Sequence, residues 1–258
     1  MIARAVAVLF AAVAPAIASA SPLRPAVALS ASPAHVTFVG AARRPIRIAN
    51  TGTSTIVVDV APAGFALGPR GGRPRILLAG AAARRAASWL GVRPNRLALA
   101  PGTASELVLV SKPPPAAAPG DHPALVLVTT RASPGAAVAV RMRVGITVVV
   151  RVPGRIRHAL AVRSLHVRRV AHRPMLELVV ANAGNVVEWL RRGRVEVSLV
   201  AHGRVIARLD PAARELLPRA TAVFDLPCPA GVHGDVTAVV ALLGDRAKTL
   251  RRSFRVRL

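Results

Sequence analysis

From Pro25 onward the apolar residues recur mainly at every second position, and valine is dense among them, a pattern that predicts half-buried β-strands. Ile46 and Ile48 alternate with polar neighbours up to the turn Asn50-Thr51-Gly52, and Ile56, Val58 and Val60 alternate after it, which reads as two strands joined by a short loop. Leu97 and Leu99 lead into Ala100-Pro101-Gly102, and residues 106–110 read as the partner strand of a second hairpin. Residues 124–130 and 137–152 follow as strands around the turn Ser133-Pro134-Gly135. In the second of these, Val140, Met142, Val144, Ile146, Val148 and Val150 form one apolar face. At Pro153-Gly154 the alternation stops, and a second set of strands is predicted from Leu176, through Asn182-Ala183-Gly184-Asn185 and the turn His202-Gly203, to Phe254, Val256 and Leu258. Only residues 81–89, rich in alanine, suggest a short helix.

Turns every 8 to 12 residues or so, with no long helical pattern, predict an all-β chain of two tandem immunoglobulin-like β-sandwich domains, one over 25–153 and one over 154–258. The N-terminus reads differently. Arg4 precedes an apolar run from Ala5 to Ile17, and Ala18-Ser19-Ala20 supplies a small-x-small triplet, so residues 1–20 are expected to be a cleaved signal peptide. No later stretch reaches the roughly 18 uninterrupted apolar residues of a second span. The expected location is extracytoplasmic, either secreted or at the cell surface or in the periplasm. With a single cysteine, Cys228, an internal disulfide is excluded and stability must come from burial.

Charge changes the picture less than its size suggests. Lys and Arg number 36 against 11 Asp and Glu, but only Lys112 and Lys248 are lysines. Such a chain is drawn to polyanions, including an anionic envelope surface. Arg191, Arg192 and Arg194, with Arg251, Arg252, Arg255 and Arg257, are the candidate polyanion contacts. A one-sided arginine row on a strand also protects a sheet edge from pairing with a neighbour. Nucleic acid is not an expected partner, because the chain is read as exported and carries no Tyr, two Trp and five Phe for stacking on bases. Trp89 and Trp189, at comparable places in the two halves, are expected to be core or rim packing residues.

Several first-half features together resemble a known pattern: Ile-Ala-Asn-Thr-Gly over 48–52, Trp89, Val92-Arg93-Pro94, the Leu-Ala-Leu-Ala-Pro-Gly run over 97–102, and Arg143-Val144-Gly145-Ile146-Thr147-Val148. They are similar to the immunoglobulin-like domain of periplasmic pilus chaperones. The closing Val152-Pro153-Gly154 also resembles the peptidoglycan-binding domain of WxL-interacting surface proteins. This resemblance implies a two-domain exported binding protein. It departs from the chaperones where they hold a subunit's end with an arginine in the first strand and a lysine late in the domain, since Ser30 to Ala34 contain no basic residue. It departs from the WxL-interacting proteins in lacking a transmembrane helix and basic tail after the last strand, so anchoring by that route is not expected.

Catalytic chemistry is not signalled. The carboxylates are spread singly, and no His-x-x-x-His, Gly-x-Ser-x-Gly or phosphate-loop lysine occurs. His158, His166 and His172 are expected on a solvated linker or strand, not at a metal, and Gly68-Pro69-Arg70-Gly71-Gly72 is expected to be a loop. The reading is a non-enzymatic envelope protein without cofactor or metal that engages a cell-wall polymer or a surface protein. The alternative is a chaperone-like assembly factor that donates a strand edge to an unfinished partner.

Overall fold

The computed structural model describes residues 25–77, 86–132, 141–243 and 249–258. The expected signal peptide, the turn at 133–135, Val140 and most of the expected helix at 81–89 lie outside these residues. Of that helix, Ala86–Trp89 forms one 3₁₀ turn.

The first unit contains β1 (Leu29–Ser32), β2 (His35–Val39), β3 (Ala42–Asn50), β4 (Ile56–Ala66), β5 (Arg75–Leu77), β6 (Leu90–Arg93), β7 (Arg96–Leu99), β8 (Ala104–Ser111), β9 (Gly120–Thr130) and β10 (Arg143–Val152). They form two sheets. One has the order β1-β3-β8-β6; the other runs β2-β10-β9-β4-β5, with β7 also pairing β4. Alternate side chains of both sheets, among them Phe38, Ile46, Ile48, Leu107, Leu109 and Ile146, fill a shared core.

The second unit contains β11 (Leu160–Val170), β12 (Arg173–Asn182), β13 (Glu188–Leu190), β14 (Val195–Ala201), β15 (Arg204–Leu209), β16 (Arg214–Leu216), β17 (Thr221–Pro227), β18 (Asp235–Leu242) and β19 (Leu250–Arg257). Sheets β11-β12-β17 and β15-β14-β18-β19 enclose a separate core around Leu176, Leu178, Leu199 and Phe224, and β13 and β16 form a small ribbon. The chain is thus all-β and built of two immunoglobulin-like sandwiches.

Three sequence readings change. The strands around Asn50 and those around Gly102 are not hairpin pairs. β3 and β4 belong to different sheets, β7 pairs β4, and β8 pairs β3 and β6. A short connection across a sandwich looks like a hairpin turn in sequence, because the local signal ends at the turn and says nothing of the partner. β11 falls where the sequence reads as a solvated linker or strand, with no apolar face assigned. Val162 and Leu165 both point inward, and the register shift between Val162 and Ser164 breaks the alternation that identifies a strand. Trp189 is 50% exposed, outside the core, whereas Trp89 is half-buried against the first core, its ring 4.7 Å from that of His122.

Candidate functional site: the open edge of β10

β10 is paired along its whole length with β9, from Arg143↔Thr129 to Val152↔Gly120. On its other side lies β2, in parallel, and this covers only Thr147 to Arg151. The side on which each residue bonds follows from two contacts: the Thr147 amide donates to the Ala34 carbonyl (3.0 Å), and the Gly40 amide donates to the Arg151 carbonyl (2.8 Å). A strand residue directs its N–H and C=O to the same side and its neighbours direct theirs to the opposite side. Odd-numbered residues of β10 therefore face β2, and the main-chain groups of Arg143 and Gly145 face the same way beyond its end. Among the described residues no strand pairs with them.

Side chains make this edge usable. Ile146, Val148 and Val150 are fully buried and Val144 is half-buried, continuing the apolar row outward, whereas Arg143 and Gly145 are exposed. Pairing with β9 continues just before this edge begins. The Thr130 amide donates to the Met142 carbonyl (2.9 Å) and the Met142 amide donates to Thr130 Oγ1 (2.8 Å), extending the β9–β10 ladder by one residue. The result is a one-sided strand edge with an apolar row beneath it.

Thr147, the last covered residue, is in register with His35. His35 is exposed, with Nε2 3.4 Å from Thr37 Oγ1, and stands near enough to Glu215 of the second unit to favour that carboxylate's charge. Burial works the other way and dominates, so the Glu215 carboxyl titrates above its ordinary value. Trp189 is opposite Glu215 in the β13–β16 ribbon. His35 lies one position beyond the stretch Ser30 to Ala34, which contains no basic residue.

The two units are joined at the covered end of β10, away from the open stretch. Arg151 Nε and Nη2 donate to the Asp121 carboxylate (2.6 and 2.8 Å), which also accepts from the Val187 amide (2.8 Å); its side chain is 1% exposed. Asn185 closes the joint, its side chain reaching the carbonyls of Pro119 and Arg155 and the Arg157 amide. Gly120 takes φ +126°, and a Cβ there would run into the Asn185 carbonyl oxygen. A second connection comes from loop 67–74, which contains the glycine cluster. Arg70 makes two bonds to Asp225 (2.5 and 2.6 Å) and one to Glu177 (2.5 Å). The Val223 amide donates to the Pro69 carbonyl (2.7 Å), and Arg214 donates to the carbonyls of Pro69 and Arg70. The loop was legible as a loop; that it clasps the second sandwich was not.

The arginines singled out from sequence are dispersed. Arg194 is nearly buried and bonds Glu188 (2.7 Å), which is itself 2% exposed and also meets His158 Nδ1 (2.7 Å). Arg192 is paired with Asp210 at 3.4 Å, and Arg191 sits on the same turn. Arg252 donates to the Val162 carbonyl (2.7 Å) and covers the Phe254 ring, tying β19 to β11. Arg251, Arg255 and Arg257 are exposed on one face of β19; six residues of strand separate the first from the last, about 20 Å. His166 and His172 are exposed, and the half-buried Cys228 thiol is pushed up in pKa by burial.

No protein-family model matches the chain, and no curated protein sequence matches it. Among solved structures it is similar to the class 5 fimbriae chaperone CfaA, at 12% identity and a TM-score of 0.50, with 88% of this chain and 98% of that chain covered. It is equally similar, at 11% identity, a TM-score of 0.50 and the same coverage, to a chain of the chaperone and tip-adhesin complex of CFA/I fimbriae biogenesis. What the chain shares with the pilus chaperones is therefore their immunoglobulin-like fold, over nearly their whole length.

Proposed function

We propose that this protein is an extracytoplasmic assembly factor of the chaperone kind, which holds an unfinished surface-protein subunit by pairing the open edge of β10 with the subunit's unpaired strand. The observation that carries this reading is the uncovered stretch from Arg143 to Ile146, where main-chain donors and acceptors and an outward-continuing apolar row occur together. It narrows the partner expected from sequence, a wall polymer or a surface protein, to a protein with a missing strand. The two sandwiches, over 25–153 and 154–258, act as domains, the second bracing the first through Asp121 and Arg70. The chemistry is non-covalent: Arg143 and Gly145 supply the ladder, and Val144 packs beneath the incoming strand.

Gly145→Pro removes one open-side donor and none that β9 uses, so the sandwich is retained. Val144→Lys places a charge in the path of the incoming strand. The probe is an immunoglobulin-like subunit with its terminal strand deleted. Incubated with the wild-type protein, it is expected to form a complex in which the Arg143 and Gly145 amides become protected from hydrogen exchange. Both variants should keep their unfolding midpoint and lose the complex. Protection at β15 or β19 instead, or an intact complex with both variants, overturns the proposal.

A further inference from the structure

Away from β10, the outer face of the β1-β3-β8-β6 sheet carries a shallow cavity of about 570 Å³ lined by Arg43, Trp89, Gly91, Arg93, Val108 and Lys112, with Val110 on its floor. The register explains how these residues meet. On β8 the outward row runs Glu106, Val108, Val110, and Lys112 follows directly after the strand. Val110 stands between Arg43 of β3 and Gly91 of β6; Val108 stands between Pro45 and Arg93. Adjacent strands are about 4.8 Å apart, so Arg43 and Gly91 flank Val110 at a separation of about 10 Å, within reach of a long side chain.

We propose that this groove binds a phosphate or phosphodiester group, with Arg43, Arg93 and Lys112 as its ligands and Val108 and Val110 as the floor beneath the group's organic carrier. Three observations support it. No acid lines the groove, and among the described residues none of the three cations is ion-paired; the one carboxylate on the β8 row, Glu106, is in register with Arg47. The outward row on β19 differs, since Arg257 stands opposite Asp235 and the same face carries Glu196. The floor is apolar yet open, with Val108 41% exposed. Gly91 occupies a strand position where glycine weakens the ladder, and a Cβ there would meet nothing within 4 Å, so packing does not require the glycine. What its missing side chain provides is space between the cations. Guanidinium groups suit a phosphate because they present paired donors to paired oxygens.

Two sources of such a group are separable. Binding is measured by calorimetry with short-chain polyphosphate, and by sedimentation with phosphatidylcholine vesicles with and without phosphatidylglycerol, both at ~0.15 M salt. The arm that binds identifies the source as soluble polyanion or lipid headgroup. In that arm Gly91→Leu, which leaves the net charge unchanged, should weaken binding by about tenfold. The triple variant Arg43→Gln, Arg93→Gln, Lys112→Gln should weaken it by more than about tenfold, and Arg251→Gln, Arg255→Gln, Arg257→Gln, which removes the same charge elsewhere, by less than about threefold. Unfolding midpoints check that each variant is folded, and the two triples decide the matter if Gly91→Leu is not. Equal losses from the two triples, wild-type binding by a folded Gly91→Leu, or binding in neither arm overturns the proposal.

Discussion

Asn50 in the first sandwich and Asn182 in the second occupy equivalent places. Each is 1% exposed, each uses its amide to bond carbonyls of two other segments, and each accepts from the amide of a glycine two residues on, Gly52 or Gly184. The two units thus share one device for turning the chain out of a strand and fastening the turn to the core. Their last strands are treated in opposite ways. β19 of the second unit carries Arg251, Arg255 and Arg257 on its outer face and is tied to β11 by Arg252. β10 of the first is apolar along its inner row and is covered by β2 over only half its length. Charge on an edge strand discourages pairing with another chain, whereas an uncovered apolar edge invites it. One frame, repeated, has one defended edge and one open edge, and the open stretch lies at the end of β10 away from the joint.

The comparison can be broken most forcefully at that joint. Gly120→Ala must move the Asn185 backbone and adopt a φ that an L-residue avoids, with an expected cost of about 3 kcal/mol. Small-angle scattering should show a more extended particle, and thermal unfolding should separate into two transitions. Next come the paired asparagines. Asn50→Ala and Asn182→Ala each strand buried carbonyls and an amide, and each should lower stability by about 2 to 3 kcal/mol in denaturant titration. Similar values sharpen the equivalence of the two devices; a difference of more than about 1 kcal/mol breaks it.

The clasp should respond to acid. Hydrogen bonds from Arg70, and then from Arg168, hold the Asp225 carboxyl below its ordinary value of 3.8. A depressed folded pKa means that the carboxylate's contribution is complete above the unfolded value and is lost as pH falls through the folded one. At pH 7, Asp225→Asn should cost less than about 1 kcal/mol, since the group is partly exposed, and the difference from wild type should vanish well below pH 3.8. Glu215 gives the smallest effect and the opposite sign. Burial raises its pKa above 4.5 and its Oε1 has no hydrogen-bond partner, so charging it opposes folding as pH rises through the folded value. Glu215→Gln should stabilise the protein slightly at pH 7, by less than about 1 kcal/mol, and not at all below pH 4.5. Midpoints measured against pH check both.

How much was legible differs by region. Strands with an apolar residue at every second position, such as β9, β10 and β12, were found from sequence, because the period of two is a property of the single strand. The apolar face of β11 was lost to one bulged residue. The arginine clusters were legible as charge but not as a site: Arg194 and Arg252 are taken up by Glu188 and the Val162 carbonyl, Arg191 and Arg192 lie on the turn before β14, and Arg251, Arg255 and Arg257 stand in a line along β19. The glycine cluster at 68–72 gave no hint of Asp225, because nothing local records a partner 155 positions away.

By itself the amino-acid sequence determined that the chain is all-β, where most strands run and which side of each faces a core, and that two such sets follow one another, since these depend on neighbours within a few residues. Only the tertiary structure decided which strands pair, which edge is left open and which loop reaches across. Pairing is a contact between segments far apart in the chain, and an edge is defined by the strand that is not there. The alternation of β10 would read the same whether β2 covered all of it or half. It is the late start of β2 at His35, a fact about the other side of the sheet, that turns a core strand into a candidate site.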